Sequence, residues 1–233
     1  MTSERIRRAS RKLFARRGVD GVSVRQVVAE AGARNNGSIH YYFGSKDALV
    51  RELVMEGAHA IDDYRRKALD ELEQRGASVD VRAIVAILVE SMINEADERL
   101  DGYARFLAGV RLNRRHLANN PLEGRWSAGT RRCYAHLERM LPAFAPAVLL
   151  LRFNAALHYI TAALAERESV LDSAAGADPQ PGSAAAWWGS REAIDDVIDT
   201  ATALLTAPAR IPAGSPPADW SAARPRQPGD SGH

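Results

Sequence analysis

The sequence predicts an all-α protein. Apolar residues recur at helical spacing along most of the chain, period-two alternation of β-branched residues is missing, and no apolar run is bounded by glycines as a strand would be. With 233 residues, 46% of them hydrophobic, there is enough apolar material for a substantial core. No internal repeat is present.

The helices follow in order. Ile6, Ala9, Leu13 and Phe14 fall on one face of a first helix, arginines cover the other, and Gly18 ends it. Ser23 to Gln26 reads as a capping box, with Val22 and Val27 as its hydrophobic staple, opening a second helix that Gly32 closes after barely two turns. The stretch "AGARNNGSIHYYFGSKDAL" then has room only for a short third helix, from about Asn35 to Tyr42, before Gly44. Ser45 caps a long fourth helix whose apolar positions Leu49, Leu53, Val54, Ile61, Tyr64, Ala68 and Leu72 keep helical spacing to Arg75-Gly76. Further helices are expected from Val81 to Ala96, Gly102 to Leu117, Ser127 to Leu141, Pro146 to Arg167 and Ser190 to Leu205. "SAAGADPQPGSAAA" reads as a loop, and the Pro/Gly-rich residues after 207 as a disordered tail.

Charge is unevenly distributed. Met1 to Arg51 holds eleven Lys/Arg against four Asp/Glu, whereas the rest of the chain holds 20 against 25. A basic end on a mildly acidic body suits contact with a polyanion at that end only. The single cysteine, Cys133, excludes an intrachain disulfide framework and fits a reducing, cytoplasmic setting. Arginines separate Ile6 from Leu13 and Phe14, so no secretory signal is expected. Ala147 to Ala165 is long and apolar, but Arg152, Asn154 and His158 would lie within a membrane span, so the segment reads as a buried helix and no membrane partner is expected.

Helix, glycine turn, short helix, asparagine-bearing turn and short polar helix together outline a helix-turn-helix. Ile39 and Phe43 can anchor only one side of the third helix. Arg34, Asn35, Asn36, Ser38, His40 and Tyr41 are left to face outward, where Asn suits adenine, Arg suits guanine, and hydroxyls suit phosphate. Ser45 and Lys46, at the start of the fourth helix, suit a second phosphate. Tyr42 can either join this face or pack against the first helix. A lone Cys133/His136 pair is too few ligands for a metal, and no catalytic set, Walker loop or dinucleotide turn is present. Neither an enzyme nor a cofactor is expected.

"LFARRGVDGVSVRQVVAEAG" followed by "IHYYFGSKDAL" resembles the N-terminal domain of TetR family transcriptional regulators, over about Arg5 to Val54. The resemblance implies all-α homodimers whose first three helices bind a palindromic double-stranded DNA operator, and whose larger C-terminal region holds a small-molecule effector site. Ser23 and Arg25, at the start of the second helix, join the DNA-binding set on this reading. Aligned on Phe43, the turn is one residue longer than the usual one, as in a subset with an Arg-Asn-Asn turn. His40 then stands at the family's tyrosine position, with Tyr41 offered for the phosphate contact. Which of Asn35 and Asn36 caps the helix and which faces DNA stays open.

The expected organisation is a DNA-binding domain at 1–50, a helical effector-binding and dimerisation domain at 51–207, and the tail at 208–233. Met92, Tyr103, Phe106, Leu107, Met140, Phe153, Leu157 and His158 sit on the middle helices where the resemblance puts an effector pocket, one suited to an apolar or amphipathic molecule. The 146–167 segment is apolar on nearly every face and needs cover beyond its own domain. The resemblance implies that Leu150, with Ile194, Val197, Ile198, Ala201 and Leu204, meets a second subunit. The expected function is a sequence-specific transcription regulator, a repressor that an effector releases from its operator. The alternatives are a helical small-molecule-binding protein or enzyme with an incidental basic N-terminus, and a helical interaction module.

Overall fold

The structure, a computed structural model, describes residues 2–33, 37–74, 79–114, 116–117, 127–176 and 178–208. Among these residues there is no strand, and the elements are α1 (Thr2–Arg17), α2 (Val24–Glu30), α3 (Gly37–Phe43), α4 (Lys46–Gln74), α5 (Val81–Glu90), a 3₁₀ turn (Glu98–Leu100), α6 (Tyr103–Asn113), α7 (Ala128–Met140), α8 (Pro146–Ser173), α9 (Ala184–Trp188) and α10 (Arg191–Thr206). The tail expected at 208–233 lies, but for its first residue, outside the described residues.

Local chemistry explains most boundaries. The Ser23 hydroxyl accepts from the Gln26 N–H while the Gln26 side chain accepts from the Ser23 N–H at 2.8 Å, which completes the capping box. Gly18, Gly32 and Gly44, at φ of 70°, 60° and 76°, end α1, α2 and α3 in the left-handed region. α5 stops six residues short of the expected Ala96. The Ser91 hydroxyl donates back to the Leu88 carbonyl, and Asp97 then caps the 3₁₀ turn. α8 runs on past the expected Arg167 to Ser173, because its polar end makes the tertiary contacts described below. α9 begins within the expected loop and runs two residues past it, capped by Ser183.

α1 to α3 form a three-helix head. α4 leaves it and continues into the body, so position 50/51 falls inside an unbroken helix. In the body, α4 packs on α7 and α5, α6 on α8, and α10 on α8 and α5. One continuous core runs from Ile6 and Phe14 in the head to Ile198 and Leu205 in the body. The Tyr103 ring packs against α4 at Gly57, where a Cβ would come within 2.1 Å of the ring edge, and its hydroxyl donates to the Val54 carbonyl at 2.8 Å. α8 would pass for a membrane span by length and composition alone. Here it is a packed helix of the body.

Arginines fasten the head to the body. Arg11, 3% exposed, donates to the carbonyls of Glu98 (2.6 Å) and Asp101 (3.2 Å) and to the Glu56 carboxylate (3.3 Å). Arg16 pairs with Asp172 of α8, which also accepts from Arg105 at 3.1 Å. At the other end of α6, Arg114 binds Asp20 of the α1–α2 turn and, at 2.8 Å, Asp47 of α4. The N-terminus of α6 follows Gly102, which offers no side-chain cap. Glu168 of α8 supplies the missing acceptor, taking the N–H of Ala104 (3.1 Å) and Arg105 (2.9 Å). Burial pushes that carboxyl up to about 7, against the backbone hydrogen bonds and the Arg105 charge.

Candidate nucleic-acid interface

α3 is seven residues long, and the head determines which side of it shows. Ile39 and Phe43 are buried beneath it at 2% and 9% exposure. Ser38 is half-buried, His40 is exposed, and Tyr41 and Tyr42 stand out at 82% and 45% exposure. The two tyrosine rings meet edge to face, with centroids 4.9 Å apart, which stiffens the phenols as a pair. Tyr42 is therefore on the exposed face and not packed under α1. Arg34, Asn35 and Asn36 lie outside the described residues.

α2 presents Ser23 and Arg25 beside this face, both exposed. The Ser23 side chain is already engaged in the capping box. Ser45 caps α4, its hydroxyl oxygen accepting the Ala48 N–H at 3.0 Å. Lys46 does not extend outward as expected for a phosphate contact. Its ammonium donates to the Val22 carbonyl at 2.5 Å and lies 5.7 Å from the centre of the Phe14 ring. Burial, reinforced by the Arg114 charge, moves its pKa down. The reason is local: at the first position of α4 the long side chain covers the gap between α1 and α2, where an unmatched carbonyl awaits it.

The basic face of α1 is also less available than its sequence implies. Arg7 bridges Glu4 and Glu52, Arg8 meets Glu98, and Arg11 and Arg16 are the clamps described above. Sequence reasoning missed Arg11 and Arg114 altogether. Arg11 stands among five other α1 arginines and nothing in its neighbours marks it, because its partners are about 45 and 90 residues away.

Residues 6–53 match the family of bacterial regulatory proteins, tetR family. The matched stretch spans α1 to α3 and the start of α4, so this end of the chain is the helix-turn-helix DNA-binding domain of a transcription regulator. Among solved structures, a candidate transcriptional regulator, SCO4942 from Streptomyces coelicolor, is 19% identical, covering 87% of this chain and 97% of its own, with a TM-score of 0.44. PfmR, a TetR family regulator from Thermus thermophilus, is 16% identical over 86% and 96%, at 0.44. A candidate TetR-family regulator from Mesorhizobium loti is 16% identical over 88% and 95%, at 0.48. No curated protein matches the chain.

Behind the TetR-type head, the residues expected to line an effector pocket are mostly packed. Met92, Tyr103, Phe106, Leu107 and Phe153 are at most 5% exposed, Met140 and Leu157 are half-buried, and only His158 is exposed. Two cavities lie elsewhere. One, of about 710 Å³, runs along the outer face of α4 between Tyr64 and Asn94. The other, of about 320 Å³, lies where α1, α6 and α8 meet, around Arg16, Arg105 and Glu168. None of the expected pocket residues lines either. Among the described residues no cluster could hold a metal, and His136 is paired with Glu73 at 3.0 Å, not with Cys133.

The expected dimer stripe also needs correction. Ile194, Val197, Ile198 and Ala201 are at most 4% exposed and Leu150 is 8% exposed, all within one protomer. α10 turns its most apolar stripe onto α5 and α8, so these side chains have no surface left for a partner. Leu204, at 38% exposure, remains outside, as does Leu151 of α8 at 46%.

Proposed function

We propose that the protein is a homodimeric repressor that reads a palindromic operator through α3 and leaves it when a small-molecule effector binds the body. The observation that carries this reading is the exposed polar and aromatic face of α3, held over Ile39 and Phe43 within a domain matched by the tetR family. His40, Ser38 and, on the sequence reading, Arg34 with Asn35 or Asn36 meet base edges. Tyr41 and Tyr42 meet the backbone beside Ser23, Arg25 and Ser45. Two such helices serve successive major grooves roughly 34 Å apart.

The effector acts through the clamps. α6 is tied to the head at both ends, by Arg16–Asp172–Arg105 and by Arg114, so a ligand that favours another setting of α6 changes the spacing of the two heads. The outer faces of α8 and α10, with Leu151 and Leu204, are the dimer surface. The setting is cytoplasmic. Fluorescence anisotropy on duplexes retained by the protein from sheared genomic DNA tests the reading. A salt-dependent preference over scrambled duplex supports it, and equal binding to both rejects it.

A further inference from the structure

Two guanidinium groups lie inside the body with no carboxylate on either among the described residues. Arg65, on α4, is 6% exposed. Its Nε donates to Ser91 Oγ at 3.0 Å, Nη1 to Thr130 Oγ1 at 2.8 Å, and Nη2 to the Leu88 carbonyl at 3.4 Å. All three acceptors are neutral, and a guanidinium has five N–H groups. Asp62, the acid whose charge reaches Arg65, is engaged elsewhere, taking the Gly129 N–H at 2.6 Å and pairing with Arg66 at 3.3 Å. Arg111, on α6, makes one hydrogen bond among the described residues, a long one of 3.4 Å to Thr161 Oγ1. The two cations repel each other across the interior, and burial weighs against the charge on both.

Arginine does not lose its proton in proteins, so the body carries two desolvated positive charges that no described residue pairs with a carboxylate. Arg11 shows the contrast: as buried as Arg65, it has the Glu56 carboxylate beside it. Uncompensated buried cations are costly to a fold, and an arriving anion removes that cost. Leu88, Tyr103 and Cys133, all buried, lie beside them, so the surroundings of the two charges are largely apolar. Arg111, half-buried and held by a single long bond, is the less restrained of the two.

We infer that the effector is an organic carboxylate with an apolar tail, its carboxylate gripped between Arg65 and Arg111. This rests on the effector-responsive reading above and names the ligand class. The guanidinium fork matches a carboxylate in two parallel hydrogen bonds, and the hydroxyls of Ser91, Thr130 and Thr161 hold the forks in place.

Thermal unfolding of the full-length protein with octanoate, octanol and acetate provides the test, beside Arg65→Met and Arg111→Met. Octanoate is expected to raise the midpoint by several degrees and to bind at least about tenfold more tightly than octanol or acetate. Arg111→Met is expected to be no less stable than wild type without ligand and to lose the octanoate shift. Should Arg65→Met fail to fold, Arg111→Lys serves in its place, keeping the charge and a weakened shift. An octanol shift equal to that of octanoate, no octanoate shift, or a full shift in Arg111→Met would each overturn the proposal. Operator binding measured on the same samples separates the two readings: DNA binding without an octanoate shift rejects the anion site alone, whereas an octanoate shift without DNA binding rejects the regulator.

Discussion

His40 and Lys46 sit six residues apart and have opposite surroundings. His40 projects from α3 with no intramolecular hydrogen bond from its ring among the described residues, so it is available to a base edge. His40→Ala is expected to cost about 1–3 kcal/mol on the preferred duplex and less on random DNA, read by anisotropy on both. An equal loss on both duplexes would make His40 a backbone contact. Lys46 is held by the Val22 carbonyl, and its removal should therefore act on the fold and not on DNA charge. Lys46→Met is expected to lower stability by about 1 kcal/mol while leaving the slope of log affinity against log salt unchanged. A slope reduced by about one unit would return Lys46 to the phosphate. The outward face of α3 was legible because a seven-residue helix with only Ile39 and Phe43 to bury has one inner side. The inward turn of Lys46 was not legible, since it depends on a carbonyl 24 residues earlier.

At the scale of elements, the seat of α6 on α4 depends on the absence of a side chain. Gly57→Ala would place a methyl 2.1 Å from the edge of the Tyr103 ring, forcing α6 away from α4. The expected cost is about 1–3 kcal/mol in denaturant unfolding, with effector and operator responses altered together. An unchanged midpoint would mean that the two helices are not in contact at Gly57. Glu168 makes the same helix pH-sensitive. Its folded pKa, about 7, is above the ordinary carboxylate value, so between about 4.5 and 7 the folded state holds more protons than the unfolded state and stability falls as pH rises. The stability difference between wild type and Glu168→Gln should drift through that window, by at most about 3 kcal/mol, and be flat above it. A difference independent of pH would contradict the buried position of the carboxyl. Periodicity in the sequence revealed which residues of α10 share a face, but not what covers that face. That is why Ile194, Val197, Ile198 and Ala201, read as partner contacts, proved to be core. Arg11 and Arg65 were illegible for the same reason: a charged residue becomes an internal clamp only through groups that the fold brings from elsewhere.

For the whole molecule, the head and body share one core and α6 is fastened to the head at both ends, so a change in the body cannot leave the head untouched. The reading requires a second copy to convert that movement into a change of spacing. Leu151→Asp together with Leu204→Asp is expected to give monomers with unchanged helicity and little operator affinity, as seen by light scattering and circular dichroism, because both side chains are outside the protomer core. Persisting dimers would place the interface elsewhere. The central claim, that α3 reads DNA sequence, is tested most directly by selecting binding sites from a random duplex library with the full-length protein. The expected result is enrichment of inverted half-sites about one helical turn apart, bound about 10³-fold or more tightly than scrambled duplex at physiological salt. A library that emerges without enrichment, or selected sites bound no better than scrambled ones, would contradict it.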